Sequence, residues 1–152
     1  MTSLGTAAAR PFAYGVVLVV DDNAADADLT REALSGSGFV DELHVVGDGV
    51  EALAFLRREG AYEGAPVPDL ILLDLNMPRL DGRGVLTEMK RDAALRRIPV
   101  VVLTSSSAPD DVAGAYDAGA NCFVTKPVDL DAYLATVRAI GHFWLTVARR
   151  AP

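Results

Sequence analysis

Short apolar runs alternate along this chain with longer stretches in which apolar residues recur every three or four positions. The short runs are Val16–Val20, Glu42–Val46, Leu70–Leu73, Val100–Leu103 and Cys122–Val124. Three of them are nearly unbroken Val, Leu and Ile, the pattern of strands covered on both faces in a parallel sheet. Between them the spacing predicts helices over about 24–34, 50–58, 84–91 and 110–118. Ser35-Gly36-Ser37-Gly38 breaks the first, and Gly119 stands where the fourth should stop. A fifth, longer helix follows a cap at Asp129, with Leu130, Leu134, Val137, Ile140, Trp144 and Val147 at helical spacing. Gly60–Pro68 reads as an extended loop. Residues 1–14 carry no periodicity and read as a flexible N-terminal arm, leaving 15–152 as a single domain.

Five strands alternating with five helices predict an α/β domain, doubly wound with right-handed crossovers. In such sheets, sites form beyond the carboxyl ends of the strands, where the strand order reverses. The polar residues sit at those ends: Asp21-Asp22 after strand one, Asp74 after strand three, Thr104-Ser105 after strand four and Thr125-Lys126-Pro127 after strand five. In the order 2-1-3-4-5, strands one and three are neighbours and three carboxylates converge. Two like charges about 4 Å apart repel by roughly 4 kcal/mol at an effective dielectric of about 20. A cation must complete such a site, and oxygen-only ligands point to a hard ion, Mg²⁺ being the common intracellular choice. Lys126 adds a fixed positive charge, and Thr104 a hydrogen-bond donor. That combination suits phosphoryl transfer to Asp74. Singly, each residue also has a plain reading: a strand-end carboxylate caps the next helix, a lysine is solvated, a threonine closes a turn. Four strand ends together make the coincidence hard to reach.

Charge and composition narrow the field further. The 152 residues hold 14 basic and 21 acidic side chains, a net charge of −7. That balance offers no footprint for nucleic acid or an anionic membrane surface. No run is long enough for a signal peptide or membrane span. The lone Cys122 forms neither an internal disulfide nor a thiolate metal site and reads as a small buried strand residue, which fits a reducing cytoplasm.

The motifs Val19-Val20-Asp21-Asp22, Leu73-Asp74-Leu75-Asn76-Met77-Pro78-Arg79-Leu80-Asp81-Gly82, Ile98-Pro99 through Thr104, and Lys126-Pro127 resemble those of two-component response regulator receiver domains. The likeness covers about 16–140. It implies a flavodoxin-like five-stranded sheet and phosphoryl transfer from a histidine kinase to Asp74. It further implies Mg²⁺ held by Asp22 and Asp74 directly, by Asp21 through water and by the backbone carbonyl of Asn76. Lys126 would pair with phosphoryl oxygens, with a cis bond to Pro127, and Thr104 would move toward them. Phe123 stands where the family places its switch aromatic, often Tyr. As an ordinary packed strand residue it is equally well explained. Neither His44 nor His142 lies in a phosphodonor pattern, so the chain looks like an acceptor. The resemblance further implies a protein that promotes its own phosphorylation and dephosphorylation rather than turning over a metabolite.

Only one helix follows Lys126-Pro127, so the expectation is a stand-alone receiver without a DNA-binding output domain. That helix runs on through Phe143, Trp144, Leu145 and Val147, an apolar ending that suggests a dimer face. Trp144 folding back on its own domain is the competing reading. With the Gly60–Pro68 loop, this ending resembles the small, homodimeric receivers paired with phytochrome-type histidine kinases. Three other readings compete. A flavin- or nucleotide-binding module would need a phosphate loop where Asp21, Asp22 and Asn23 stand. A phosphate-ester hydrolase usually carries an acid two residues after its nucleophile, where Asn76 stands. A degenerate receiver acting as a non-phosphorylated interaction module would lack core positions that are all present here.

Overall fold

The computed structural model describes residues 15–151. The N-terminal arm expected at 1–14 lies outside the described residues. Five strands, β1 (Gly15–Val20), β2 (Val40–Val46), β3 (Leu70–Leu73), β4 (Val100–Thr104) and β5 (Cys122–Thr125), form one sheet. Every pairing is parallel, and the spatial order is β2-β1-β3-β4-β5, the expected 2-1-3-4-5. Five helices connect them: α1 (Ala24–Leu34), α2 (Gly49–Arg57), α3 (Gly82–Lys90), α4 (Pro109–Ala118) and α5 (Leu130–His142).

Side chains alternate across a strand, so each buried strand feeds two cores. Leu18, Val20, Ile71, Leu73, Val100 and Val102 face one side, where Leu53 and Phe55 of α2, Val85 and Met89 of α3 and Ala115 of α4 pack on them. Val17, Val19, Leu70, Leu72, Val101 and Leu103 face the other, under Leu34 of α1 and Tyr133, Val137 and Ile140 of α5. Each such aliphatic side chain contributes about 1.5–3 kcal/mol on full burial, so the central strands are the least movable part of the molecule.

Helix starts are fixed by side-chain caps. Asn23, Asp48, Asp81 and Asp129 each accept a backbone N–H from the first turn of α1, α2, α3 and α5 respectively. α3 therefore begins at Gly82, two residues before the position that periodicity predicts. Gly119 ends α4 in the left-handed region at φ 113°.

The end of α5 departs from regular spacing. Phe143–Val147 form a π-helical turn, in which the Thr146 hydroxyl donates to the His142 carbonyl at 2.6 Å. The wider turn rotates the apolar positions relative to a 3.6-residue repeat. Leu145 swings inward, becomes 2% exposed and joins the α1/α5 core, while Trp144 packs partly buried against the same core. The four-residue apolar face expected from sequence is thus corrected to two exposed side chains, Phe143 and Val147. Gly60–Tyr62 in the long loop form a short 3₁₀ turn, and the Tyr62 hydroxyl donates to Glu51 at 2.8 Å. Among the described residues no helix is long and apolar enough to cross a membrane.

Candidate functional site

The parallel ladder continues past the strand ends and carries the polar residues with it. Asp21 N–H donates to the Val46 carbonyl at 3.1 Å, Asp74 N–H to Val20 at 2.9 Å and Lys126 N–H to Thr104 at 2.7 Å. These bonds place Asp21, Asp74, Thr104 and Lys126 together at the carboxyl end of the sheet. Carboxylate oxygens of Asp21, Asp22 and Asp74 lie within 4.8 Å of one another. Asp21 and Asp74 are buried, whereas Asp22 is exposed at the mouth of the site.

Lys126 is the hub of this cluster. Its ammonium donates to Oδ2 of Asp21, Asp26 and Asp74, each at 2.9 Å. Burial alone would ease deprotonation of this lysine, but its hydrogen bonds to Asp26, Asp21 and Asp74 outweigh it and hold the pKa well above the usual lysine range. Asp21 is pushed up instead, chiefly by burial, with the nearby Asp74 charge adding to the effect against the pull of Lys126. The second Asp74 oxygen is also engaged: the fully buried Thr104 hydroxyl donates to Oδ1 at 2.8 Å. Asp21 Oδ1 accepts the Asn23 N–H at 2.9 Å, which fixes its rotamer.

The sequence-predicted residues Asp21, Asp22, Asp74, Thr104 and Lys126 are thus brought together, with Asn76 one turn from Asp74, its N–H 3.4 Å from Asp74 Oδ1. The expected cis bond at Lys126–Pro127 is corrected: the described residues contain no cis peptide. The trans form of an X–Pro bond is intrinsically favoured by about 0.5–1 kcal/mol, and from it the Lys126 ammonium reaches all three carboxylates. Phe123 is partly buried against the α2/α3/α4 core, and its N–H donates to the Tyr116 hydroxyl at 3.1 Å.

Sequence reasoning missed Asp26 altogether. An acid three residues after the Asn23 cap reads as a first-turn helix charge, and its second role, holding Lys126, is set by tertiary approach. It also missed the Arg79–Asp48 pair. Arg79 sits at φ 66° and donates to Asp48 Oδ2 from Nε at 2.9 Å. That contact ties the loop after β3 to the start of α2.

The donor set fits a hard divalent cation: clustered carboxylate oxygens, one of them on the solvent-facing Asp22, with no histidine or thiolate among them. The chain's relatives agree with this geometry. The response regulator receiver domain family matches residues 17–138. The chain belongs to that family. This receiver is 48% identical over 130 residues to the response regulator Rcp1 of Synechocystis sp., spanning 86% of this chain and 88% of Rcp1. Among solved structures, the phosphorylated cyanobacterial phytochrome response regulator RcpA superposes with a TM-score of 0.88 at 47% identity, covering 92% of this chain and all of that one. The Mn²⁺-bound form of Rcp1 superposes with a TM-score of 0.85 at 45% identity, covering 91% and 99% respectively. The receiver is therefore a response regulator of two-component signalling, and a histidine kinase is its partner class.

Proposed function

We propose that Asp74 accepts a phosphoryl group from the phosphohistidine of a histidine kinase in a Mg²⁺-dependent reaction. The signal then passes on by conformational switching or protein association. The observation that carries this reading is the double anchoring of Asp74, by Thr104 on Oδ1 at 2.8 Å and by Lys126 on Oδ2 at 2.9 Å, beside the carboxylates of Asp21 and Asp22.

In the transfer, a carboxylate oxygen of Asp74 attacks phosphorus as the phosphorus–nitrogen bond breaks, and that bond's electron pair returns to the imidazole nitrogen. Both Asp74 oxygens are held, so the nucleophile is oriented before the donor arrives. Lys126 and Thr104 stand ready to exchange their Asp74 bonds for bonds to phosphoryl oxygens, which keeps the developing charge paired. Mg²⁺ held by Asp21, Asp22, Asp74 and the Asn76 backbone carbonyl would offset the negative charge that the acidic cluster and the phosphoryl group bring together. As Thr104 shifts, the side chain of Phe123 gains room to turn inward, because Thr104 and Thr125 are paired across β4 and β5 two positions beyond Val102 and Phe123.

A phytochrome-type kinase is the proposed donor, supported by the likeness to RcpA and Rcp1. Homodimerisation is proposed on Phe143 and Val147, 48% and 60% exposed on the last turn. A cytoplasmic location belongs to the same proposal, and the net charge of −7 supports the lack of direct nucleic-acid contact.

The test is intact mass after exposure to acetyl phosphate with Mg²⁺, run beside Asp74→Asn. A hydroxylamine-labile phosphoryl adduct on the unsubstituted protein alone is expected. No adduct, either from acetyl phosphate or from a phosphorylated histidine kinase, would overturn the proposal in favour of a non-phosphorylated interaction module.

A further inference from the structure

At the end of the sheet remote from Asp74, a cavity of about 360 Å³ opens between the last turn of α3, the loop leading into β4 and the C-terminal end of α4. Its floor is apolar, formed by Leu86, Met89, Ile98 and Val100. Its mouth carries three cations, Lys90, Arg96 and Arg97. Among the described residues none of the three has a carboxylate partner, although Arg57, Arg79, Arg83 and Arg91 are each paired with an acid. In a chain with 21 acidic and 14 basic residues, three unpaired cations around one apolar opening are the reverse of the average surface.

Helix polarity accounts for only part of this. A cation in the last turn of a helix is favoured by the carbonyl ends there, which explains Lys90 in α3. Arg96 and Arg97 belong to neither helix and lie in the loop ahead of Ile98 and Pro99. Gly119 keeps the wall thin on the α4 side: a Cβ built there would meet the Lys90 side chain at 3.4 Å, so the lysine stem lies along the wall.

We propose that this cavity binds a small amphiphilic carboxylate, its apolar body on Leu86, Met89, Ile98 and Val100 and its anionic head among Lys90, Arg96 and Arg97. The volume lies at the lower end of the roughly 300–1,000 Å³ range of small-molecule sites, which favours a compact ligand over a peptide helix. Cationic groups beside an apolar floor favour a carboxylate head, since a guanidinium donates two parallel hydrogen bonds to it. The site stands apart from the phosphoacceptor reading and needs no phosphorylation to form.

The probe is 4-phenylbutyrate, titrated into the ¹⁵N-labelled full chain and followed by amide shifts, beside its neutral counterpart 4-phenylbutan-1-ol. Saturable shifts are expected at the amides of Leu86, Met89, Val100 and Gly119. The alcohol should bind about tenfold more weakly or worse, the loss expected when a charge-assisted contact is removed. The triple variant Lys90→Gln, Arg96→Gln, Arg97→Gln changes only exposed side chains, so its spectrum verifies the fold, and its affinity for the acid should fall to that of the alcohol. Absence of saturable shifts at these amides would overturn the proposal. So would equal affinity of acid and alcohol, or undiminished binding by a correctly folded triple variant.

Discussion

The Lys126 ammonium and the Asp26 carboxylate meet at 2.9 Å, joining the end of β5 to the first turn of α1 across 100 residues of sequence. Asp26 is the most exposed of the three Lys126 partners, with about a quarter of its side chain open to solvent (27%). The two ends of this contact have unequal consequences. Asp26→Asn leaves Lys126 held by Asp21 and Asp74, and should shift stability by only ~1 kcal/mol or less. Lys126→Met leaves two buried carboxylates without their cation and should cost roughly 3 kcal/mol in metal-free buffer. Urea unfolding of both variants in EDTA checks the difference. Equal losses would mean that the three carboxylates do not share the lysine as the geometry has it.

Asp74→Asn has two effects of opposite sign. It removes the proposed phosphoacceptor, so the acetyl phosphate adduct should vanish. It also leaves Lys126 with Asp21 and Asp26 while deleting one charge from an acidic cluster whose oxygens lie within 4.8 Å. Metal-free stability should therefore rise, by ~1 kcal/mol. The stabilisation that added Mg²⁺ gives the unsubstituted protein should shrink in the variant. A variant that loses stability in EDTA would place the Lys126–Asp74 attraction above the carboxylate repulsion.

Gly82 works by its size. A Cβ built there would lie 2.5 Å from the Asp74 carbonyl oxygen and 2.9 Å from the Leu75 Cα, while its N–H donates to the Leu75 carbonyl at 2.9 Å. Backbone cannot yield as a flexible side chain can, so Gly82→Ala must push the end of β3. The expected loss is about 1–3 kcal/mol of stability. Slower adduct formation should accompany it, since Asp74 moves off the bonds that orient it. A Gly82→Ala variant that unfolds at the parental urea midpoint and is phosphorylated at the parental rate would refute this.

Much of this arrangement was legible in the sequence, and the failures have physical causes. The three central strands are runs of Val, Leu and Ile that only a doubly covered sheet buries, and four of the five site residues stand directly at strand ends. Asp22, the fifth, follows Asp21. Asp26 was hidden because an acid in a first helical turn already has a local explanation. Leu145 lies off the 3.6-residue repeat that runs through Ile140 and Trp144, and it is the π-helical turn at Phe143–Val147 that brings it inward.

Asp48 gives a pH signature that does not involve the metal ligands. Burial alone would raise its pKa, but the Glu51 N–H that it caps and the Arg79 guanidinium outweigh this and hold the carboxyl below its usual value of 3.8. A depressed folded pKa means that the stabilisation is fully present above pH 3.8 and is lost as pH falls through the folded value. Asp48→Asn keeps a capping oxygen and loses the charge, so it should cost ~1 kcal/mol at pH 7. Urea midpoints of parent and variant should converge below pH 3.8. A gap that persists at low pH would assign the loss to packing instead of charge.

Phe143 and Val147 remain exposed on the π-helical turn while Leu145, between them, is buried and Trp144 half-buried. The buried pair anchors the turn to the α1/α5 core, so the exposed pair is displayed from a rigid support. Gly15 completes that support: a Cβ built there would stand 2.5 Å from the Leu145 Cδ2, so β1 approaches the turn closely. An exposed Phe and Val fixed this way cost little side-chain entropy on association, which favours a second copy of the same surface in an isologous pair. The double variant Phe143→Glu, Val147→Glu places like charges across such an interface. Size exclusion with light scattering should report a dimer for the parent and a monomer for the variant, with the urea midpoint of the monomeric domain shifted by ~1 kcal/mol or less. A parent that is monomeric, or a variant that stays dimeric, would remove these two residues from any dimer contact.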